Sequence, residues 1–383
     1  MTRAILVFCC HSDGGSGSVT RALSLAEALS EQFHVTVLLD GSYSRATRIP
    51  VEVDLLILPA NDAEKRRALM LEKVEQLAPR IILIEDFPFA GQRAKEEILP
   101  LIQKVRGNTG EESLVISVTN GILTNDHPDE QGHSDIAANY LQRYFDMVLV
   151  QSDPVFARLE EFFQPNSTLA TPMFHAGFVS PASYDDRPAR KTAGGIVVSA
   201  GDGHEGGPLF RAAIEAHRIL WHTLQLPMTI VAGKRLPEDE WQELLALSDT
   251  SQALTLIRPV ADLRSEIANA QLSVGQCDYD AAVNAIATRT PALFVPRSDN
   301  RNRDELVRAQ RLVYWGAGRL MVPQLLNGAS LANEIHQFAK FERRALTFDL
   351  DGAAKAAHLI SDIAYRGNYT PADWRPLAST QPQ

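Results

Sequence analysis

The stretch from Leu272 to Leu312, LSVGQCDYDAAVNAIATRTPALFVPRSDNRNRDELVRAQRL, decides the fold class. A short apolar strand is predicted over Leu272–Val274, then a small polar turn, then a helix over about Ala281–Ala287. A second strand, Ala292–Val295, stops at Pro296. A charged loop follows, and then a helix carrying Asp304, Glu305, Arg308 and Arg311. Strand, turn, helix, strand is a βαβ unit, and open sheets built from such units bind ligands beyond the carboxyl ends of their strands. Here those ends carry Gln276, Asp278, Asp280, Arg297, Asn300 and Asn302 in place of plain turn residues. An ordinary βαβ unit with a solvated rim reads the same way, so the segment alone fixes an architecture and no function.

The same alternation extends outward. Upstream, Ile196–Ser199, Met228–Ala232 and Leu254–Ile257 read as strands of the same series. The first half has its own: Ala4–Phe8, Val35–Leu39, Asp54–Leu58, Ile81–Ile84, Leu114–Val118 and Met147–Val150. None alternates cleanly with period two, which is the pattern of strands buried on both faces of a parallel sheet. A helix is expected from Val19 to about Gln32 with Ser18 as N-cap, and another over Ala63–Leu77, charged on its outer side and ending before Pro79. Between Ser180 and Gly195 the run SPASYDDRPARKTAGG has no apolar periodicity and reads as a linker. The expected organisation is a first α/β domain over 1–180, a linker over 181–194, a second α/β domain over 195–352, and a terminal helix (about Ala353–Ala364) returning to the first domain before a loose tail. Two open sheets facing across a cleft make a binding architecture.

Size and composition agree. A chain of 383 residues suits two domains, and 45% hydrophobic with 22% charged residues is a globular profile. The net charge of −10 argues against nucleic-acid binding and against a polybasic membrane anchor, while leaving room for a local basic pocket. Cys9, Cys10 and Cys277 have neither disulfide-framework nor zinc spacing and read as small buried residues in a reducing cytosol. The N-terminus enters a strand at once, without a signal-peptide pattern, and no apolar run is long enough to span a bilayer, so a cytoplasmic protein is expected.

Several segments together resemble one family. The Leu272–Leu312 unit is similar to the nucleotide-sugar half of the family 28-like glycosyltransferases, the group of the enzyme that adds N-acetylglucosamine to the lipid-linked peptidoglycan precursor. It is nearer still to a bacterial offshoot whose Gln-Cys-Gly-Tyr-Asn turn matches Gln276-Cys277-Asp278-Tyr279-Asp280 with two departures. HSDGGSGSVTRALSLAEAL resembles the family's Gly-rich loop and first helix; SVTNGILTNDHP, YFDMVLVQSDPVF and TPMFHAGFVSP resemble later segments of its first domain. GGIVVSAGDGHEGG and TIVAGKRLPEDEW are similar to the opening of its second, and FDLDGAAKAAHLI to its terminal helix. The resemblance covers nearly the whole chain. It implies the GT-B architecture, two Rossmann-like domains with the donor nucleotide mainly on the second and the acceptor mainly on the first. It also implies a UDP-sugar as co-substrate, an acceptor of unknown identity, no other cofactor and no metal; peripheral membrane contact is left open.

Candidate residues follow. In SDGGSGS, residues 12–18, backbone amides around Gly15 and Gly17 can approach an anion, helped by the following helix N-terminus, although a tight turn also needs glycines. Relatives carry a His where Ser18 stands, and a serine hydroxyl is no base without a partner. Asp13 is therefore the first candidate for the general base, with His11 and His127 behind it. In the second domain the amides of Gly201, Asp202 and Gly203 are expected to face a diphosphate. The Asp202 charge opposes this unless it points away or a cation intervenes, and His204, Lys234 and Arg235 can supply positive charge. They also suit a solvated loop. Counting back from Thr290-Pro291, Asn284 falls where relatives grip both ribose hydroxyls with a Glu; an amide holds a diol less well. Gln276 and Asp280 line the turn, and Asp304 and Glu305 stand where relatives carry sugar contacts, or are simply acids at a helix start. Asp126, His127, Asp129 and His133 cluster in GILTNDHPDEQGHSD, read as an acceptor-facing loop before a metal site. The implied activity is inverting glycosyl transfer. Its rivals are a sugar-nucleotide epimerase or hydrolase on the same fold and a catalytically degenerate binding protein.

Overall fold

The computed structural model describes residues 4–11, 16–40, 49–89, 93–109, 113–123, 130–181, 194–249, 251–258, 262–297, 303–338, 341 and 343–366. The chain divides into two compact units. The first gathers almost all of the chain up to Ser180 together with the segment from Asp349 onward; the second runs from Pro181 to Phe348.

In chain order the first unit holds β1 (Ala4–His11), α1 (Ser16–Ser30), β2 (Phe33–Asp40), β3 (Val53–Leu58), α2 (Ala63–Leu77), β4 (Ile81–Glu85), α3 (Arg93–Thr109), β5 (Leu114–Thr119), α4 (Glu130–Tyr144), β6 (Met147–Val150) and β7 (Met173–His175). The strands form one parallel sheet in the order β3-β2-β1-β4-β5-β6-β7. Leu6, Phe8, Val35, Leu83 and Leu149 point to one face, where they pack on Ala22, Leu25 and Leu29 of α1. Val7, Leu38, Ile82, Val115 and Val148 point to the other, against Met70, Ile98, Leu101 and Leu141 from α2, α3 and α4. Both faces being covered is why these strands show no polar alternation.

The second unit holds β8 (Ile196–Ser199), α5 (Gly207–Trp221), β9 (Met228–Val231), α6 (Glu238–Ser248), β10 (Leu254–Ile257), α7 (Leu263–Asn269), β11 (Leu272–Gly275), α8 (Tyr279–Thr288), β12 (Ala292–Phe294), α9 (Arg303–Trp315), β13 (Gly318–Leu320) and α10 (Gly328–Phe338). Its parallel sheet runs β10-β9-β8-β11-β12-β13. Val198, Ile230, Val274 and Leu293 pack under α5 and α10. The last helix, α11 (Gly352–Arg366), belongs to the first unit: Ala356 and Ile360 join the α1 side of its core, and Tyr365 stacks on Phe33 at 5.6 Å. The chain re-enters that unit through Phe178 N–H to the Asp349 carbonyl (2.8 Å) and Asp349 N–H to Asp153 Oδ2 (2.8 Å). Among the described residues no helix is long and apolar enough to cross a membrane.

Three local expectations need correction. Helix α1 starts at Ser16, so Ser18 lies inside its first turn and is not the N-cap. The charged helix α2 is not charged only outward. Arg66, 3% exposed, donates Nε and Nη2 to Glu97 at 2.7 and 2.5 Å and Nη1 to the Pro59 and Ala60 carbonyls at 2.8 and 3.0 Å. Finally, His133 sits not in a loop but in α4, its Nε2 at 3.1 Å from the Phe89 carbonyl oxygen. The linker interior, 182–193, and the tail, 367–383, lie outside the described residues.

Candidate functional site

An open parallel sheet binds ligands where its strand order reverses, beyond the carboxyl ends. In the second unit that point lies between β8 and β11. Gly201 and Gly203 take φ of +50° and +90°, which glycine adopts without penalty, and the Gly203 N–H closes the turn on the Ala200 carbonyl at 2.8 Å. Of the three amides expected to face an anion, that of Gly203 is therefore spent inside the turn. Gly233, after β9, lies flat against the Asp202 peptide, where any Cβ would overlap the carbonyl group. A Cβ on Gly201 would come within 2.8 Å of Asp278 Oδ2, so the turns after β8 and β11 touch. Asp278, in place of the family's Gly, has a local purpose: its Oδ1 caps α8 by accepting from Ala281 N–H at 2.7 Å.

Four candidate side chains in this unit, Asp202, Asn284, Asp304 and Glu305, are held by arginines. Asp202 Oδ2 accepts from Arg235 Nη1 at 3.2 Å and Oδ1 from His204 N–H at 3.1 Å, so a cation does intervene at that carboxylate. Lys234 and His204 are exposed beside it, and desolvation draws the Lys234 pKa below its ordinary value. Asn284 Oδ1 accepts from Arg264 Nε at 2.9 Å. Gln276 is buried and donates to the Glu205 carbonyl at 3.2 Å, while Asp280 is half-buried in the first turn of α8. Glu305, 1% exposed, spends both oxygens on Arg297: Oε1 accepts from Nη2 (2.5 Å) and Oε2 from the backbone N–H (3.0 Å). Burial raises its pKa against the pull of Arg297. Asp304 pairs with Arg308 at 3.0 Å, and Arg308, 2% exposed, also donates to the Cys277 carbonyl at 2.9 Å. Glu305 thus presents no carboxylate to a ligand's hydroxyls. The arginine partners were missed from sequence, yet α9 carried a signal: Glu305, Arg308, Ala309 and Leu312 share one buried helical stripe. Both described free cysteines, Cys9 and Cys277, are buried, and burial raises their thiol pKa values, that of Cys9 to about 12.

In the first unit the reversal lies between β1 and β4. Asp13, Gly15 and His127 lie outside the described residues, as do Asp126, Asp129, Asn300 and Asn302. His11 ends β1, its backbone in register with Asp40 of β2. Gly17 and Ser18 fall in the first turn of α1, with Ser18 buried. At the carboxyl end of β4, Glu85 is buried with Arg21 Nη2 at 3.6 Å, an ion pair that no motif announced. Among the described residues no group of three or more His, Cys, Asp or Glu is placed to hold a metal.

Two histidines, His217 buried and His175 half-buried, make stability depend on pH. His175 Nε2 meets Glu160 Oε2 at 3.1 Å and His217 Nε2 meets the Leu226 carbonyl at 3.2 Å, which fixes the Nε2–H tautomer in each. Both Nδ1 atoms are buried without a partner, and desolvation lowers both pKa values, for His175 against the pull of Glu160. A histidine depressed in the folded state binds more protons when unfolded. Its contribution is therefore present above the unfolded pKa of about 6.5 and is lost as pH falls through that value towards the folded pKa. The melting temperature is expected to fall between roughly pH 7 and 5.5, and His217→Gln to flatten part of that slope. A melting temperature that rises on acidification would contradict this.

No family model matches the chain, and no curated protein matches it. Solved structures do. The calicheamicin glycosyltransferase CalG4 superposes with a TM-score of 0.60 at 16% identity, over 97% of this chain and 96% of that one. MurG of Acinetobacter baumannii gives 0.55 at 15%, over 94% and 99%. A UDP-GlcNAc 2-epimerase of Methanocaldococcus jannaschii, in complex with UDP-GlcNAc and UDP, gives 0.59 at 11%, over 94% and 99%. With its two Rossmann-like parallel sheets, the chain has the GT-B fold common to these glycosyltransferases and epimerases.

Proposed function

We propose that the protein is an inverting glycosyltransferase that takes its sugar from a UDP-sugar bound at the carboxyl ends of the second unit's strands. The observation that carries the reading is the contact of the two turns at that unit's reversal point, where Gly201 approaches Asp278 at the start of α8. Glycine turns and a helix N-terminus at such a point suit a diphosphate. The likeness to a structure holding UDP-GlcNAc and UDP supports the choice of ligand. In this reading the Gly201 and Asp202 amides, Lys234 and Arg235 meet the charge of the departing diphosphate. Asn284 takes the ribose through its amide group, its oxygen being already engaged by Arg264. An acceptor hydroxyl or amine loses its proton to a base of the first unit, Asp13 first, with His11 and His127 as the alternatives, and attacks the anomeric carbon as UDP leaves.

Replacing Asn284 by Ala is then expected to weaken UDP by roughly 1 kcal/mol, the worth of one net hydrogen bond. Titration calorimetry checks it, and unchanged affinity in a folded variant removes Asn284 from the site.

A second reading, epimerisation or hydrolysis of the nucleotide-sugar, is favoured by one observation: the epimerase covers 94% of the chain, the same share as MurG. A binding protein without turnover is favoured by another, the engagement of Asp202, Asn284 and Glu305 by arginines. Incubation with a panel of UDP-sugars, with and without a panel of acceptor alcohols and amines, separates the three. Transfer requires an acceptor, epimerisation or hydrolysis consumes the donor without one, and a binding protein consumes nothing.

A further inference from the structure

Arg297 closes a junction of four segments in the second unit. Its Nη1 donates to Glu205 Oε2 at 2.8 Å, in the turn after β8, and its Nη2 and backbone N–H donate to Glu305 in the first turn of α9. The Glu205 carbonyl accepts from Gln276, in the turn after β11. Arg297 itself stands in the segment that follows β12. Exposure divides the junction in two. The Glu305 side chain is 1% exposed, whereas those of Arg297 and Glu205 are 28% and 34% exposed.

The buried half fixes the guanidinium. Removing Arg297 would leave the buried Glu305 carboxylate unpaired, and this ties the guanidinium to Glu305. The planar fork then offers its other edge to Glu205 in a set geometry, which a lysine ammonium cannot reproduce towards two carboxylates at once. The half-exposed Arg297–Glu205 pair adds little to global stability, because exposed ion pairs are worth little. Its effect is local: it fixes where the turn after β8 sits. That turn carries the amides assigned above to the diphosphate, and binding groups held in place before the ligand arrives bind more tightly.

We infer that Arg297 is a positioning residue for the nucleotide-sugar site, acting through Glu205 to hold the glycine turn of residues 200–206 against the turn after β11. The inference rests on the nucleotide-sugar reading of this site for its ligand, but not for the coupling itself.

Glu205 is the residue to vary, because replacing Arg297 would strip the buried Glu305 carboxylate of its partner. Glu205→Ala and Glu205→Gln are compared with the unaltered full-length protein by three measurements: UDP affinity by titration calorimetry, hydrogen exchange of the Gly203 and Gly206 amides, and thermal melting without ligand. Both amides close bonds inside the turn, to Ala200 and to Gly203, so their protection reports its rigidity. Glu205→Ala is expected to weaken UDP by about threefold, within the worth of a half-exposed ion pair. It should also speed exchange at both amides and leave the melting temperature nearly unchanged. Glu205→Gln keeps an acceptor for Nη1 and should restore most of the affinity and protection. Wild-type affinity and protection in Glu205→Ala would overturn the inference. So would an equal loss in both variants, which would mean that the charge acts on the ligand directly. If the unaltered protein binds no UDP, the reading of the site fails, and exchange in Glu205→Ala still decides the coupling: faster exchange supports it and unchanged exchange overturns it.

Discussion

Replacing Arg66 by alanine is expected to destabilise the protein by about 3–5 kcal/mol, the cost of leaving one partner of a buried ion pair alone. The arginine makes two charge-assisted bonds to Glu97 and two more to the carbonyls that lead into α2, and both side chains are almost wholly buried. Alanine leaves the Glu97 carboxylate desolvated on α3 and two carbonyls without donors. The pair itself need not be stabilising relative to apolar residues. The double replacement Arg66→Met with Glu97→Leu is therefore expected to recover most of the loss, because no unpaired charge then remains between α2 and α3. Urea denaturation followed by circular dichroism reads both variants. A loss below about 1 kcal/mol in Arg66→Ala would show that Glu97 finds water or another partner, and that the pair is a surface feature.

Replacing Asp13 by asparagine is expected to lower kcat by about a hundredfold or more, the usual worth of a general base. Ser18, the position at which the resembled family carries a histidine, lies buried in the first turn of α1. The base is then sought in the loop between β1 and α1, and Asp13 is its only carboxylate. UDP affinity should barely change if, as proposed, the base serves the acceptor. A carboxylate works as a base near neutrality only if its pKa is raised, so the acid limb of the kcat profile should vanish in the variant. Single-turnover transfer from the donor selected by the panel is the measurement. Full activity in Asp13→Asn would shift the assignment to His11 or His127.

The fold class was legible in the sequence because parallel strands buried on both faces leave continuous apolar runs, and the Leu272–Leu312 unit puts turn residues where such a sheet needs them. Helices were less legible. Ile98, Leu101, Ile102 and Val105 mark the buried face of α3 at helical spacing, but Pro100 sits inside it, and an interior proline reads as a break. The start of α4 was hidden by the proline, glycines and acids that precede His133. At the candidate site, residue positions were readable and their partners were not. Arg235, Arg264, Arg308 and Arg297 engage Asp202, Asn284, Asp304 and Glu305 across 33, 20, 4 and 8 residues. Only the i,i+4 pair on α9 follows from local periodicity; the others depend on which loops the sheet order brings together. A motif comparison therefore treats these acids and the amide as available to a ligand, whereas the fold has already given them arginines.

Thermal melting of the protein against UDP tests most directly whether a nucleoside diphosphate binds at the reversal point of the second unit. A ligand that binds only the folded form at a hundred times its Kd adds about 2.7 kcal/mol of stability. UDP is expected to raise the melting temperature saturably, by several degrees, and Asn284→Ala to shift the midpoint of that rise to higher UDP. An unchanged melting temperature at millimolar UDP, in a protein that melts cooperatively, would contradict the account.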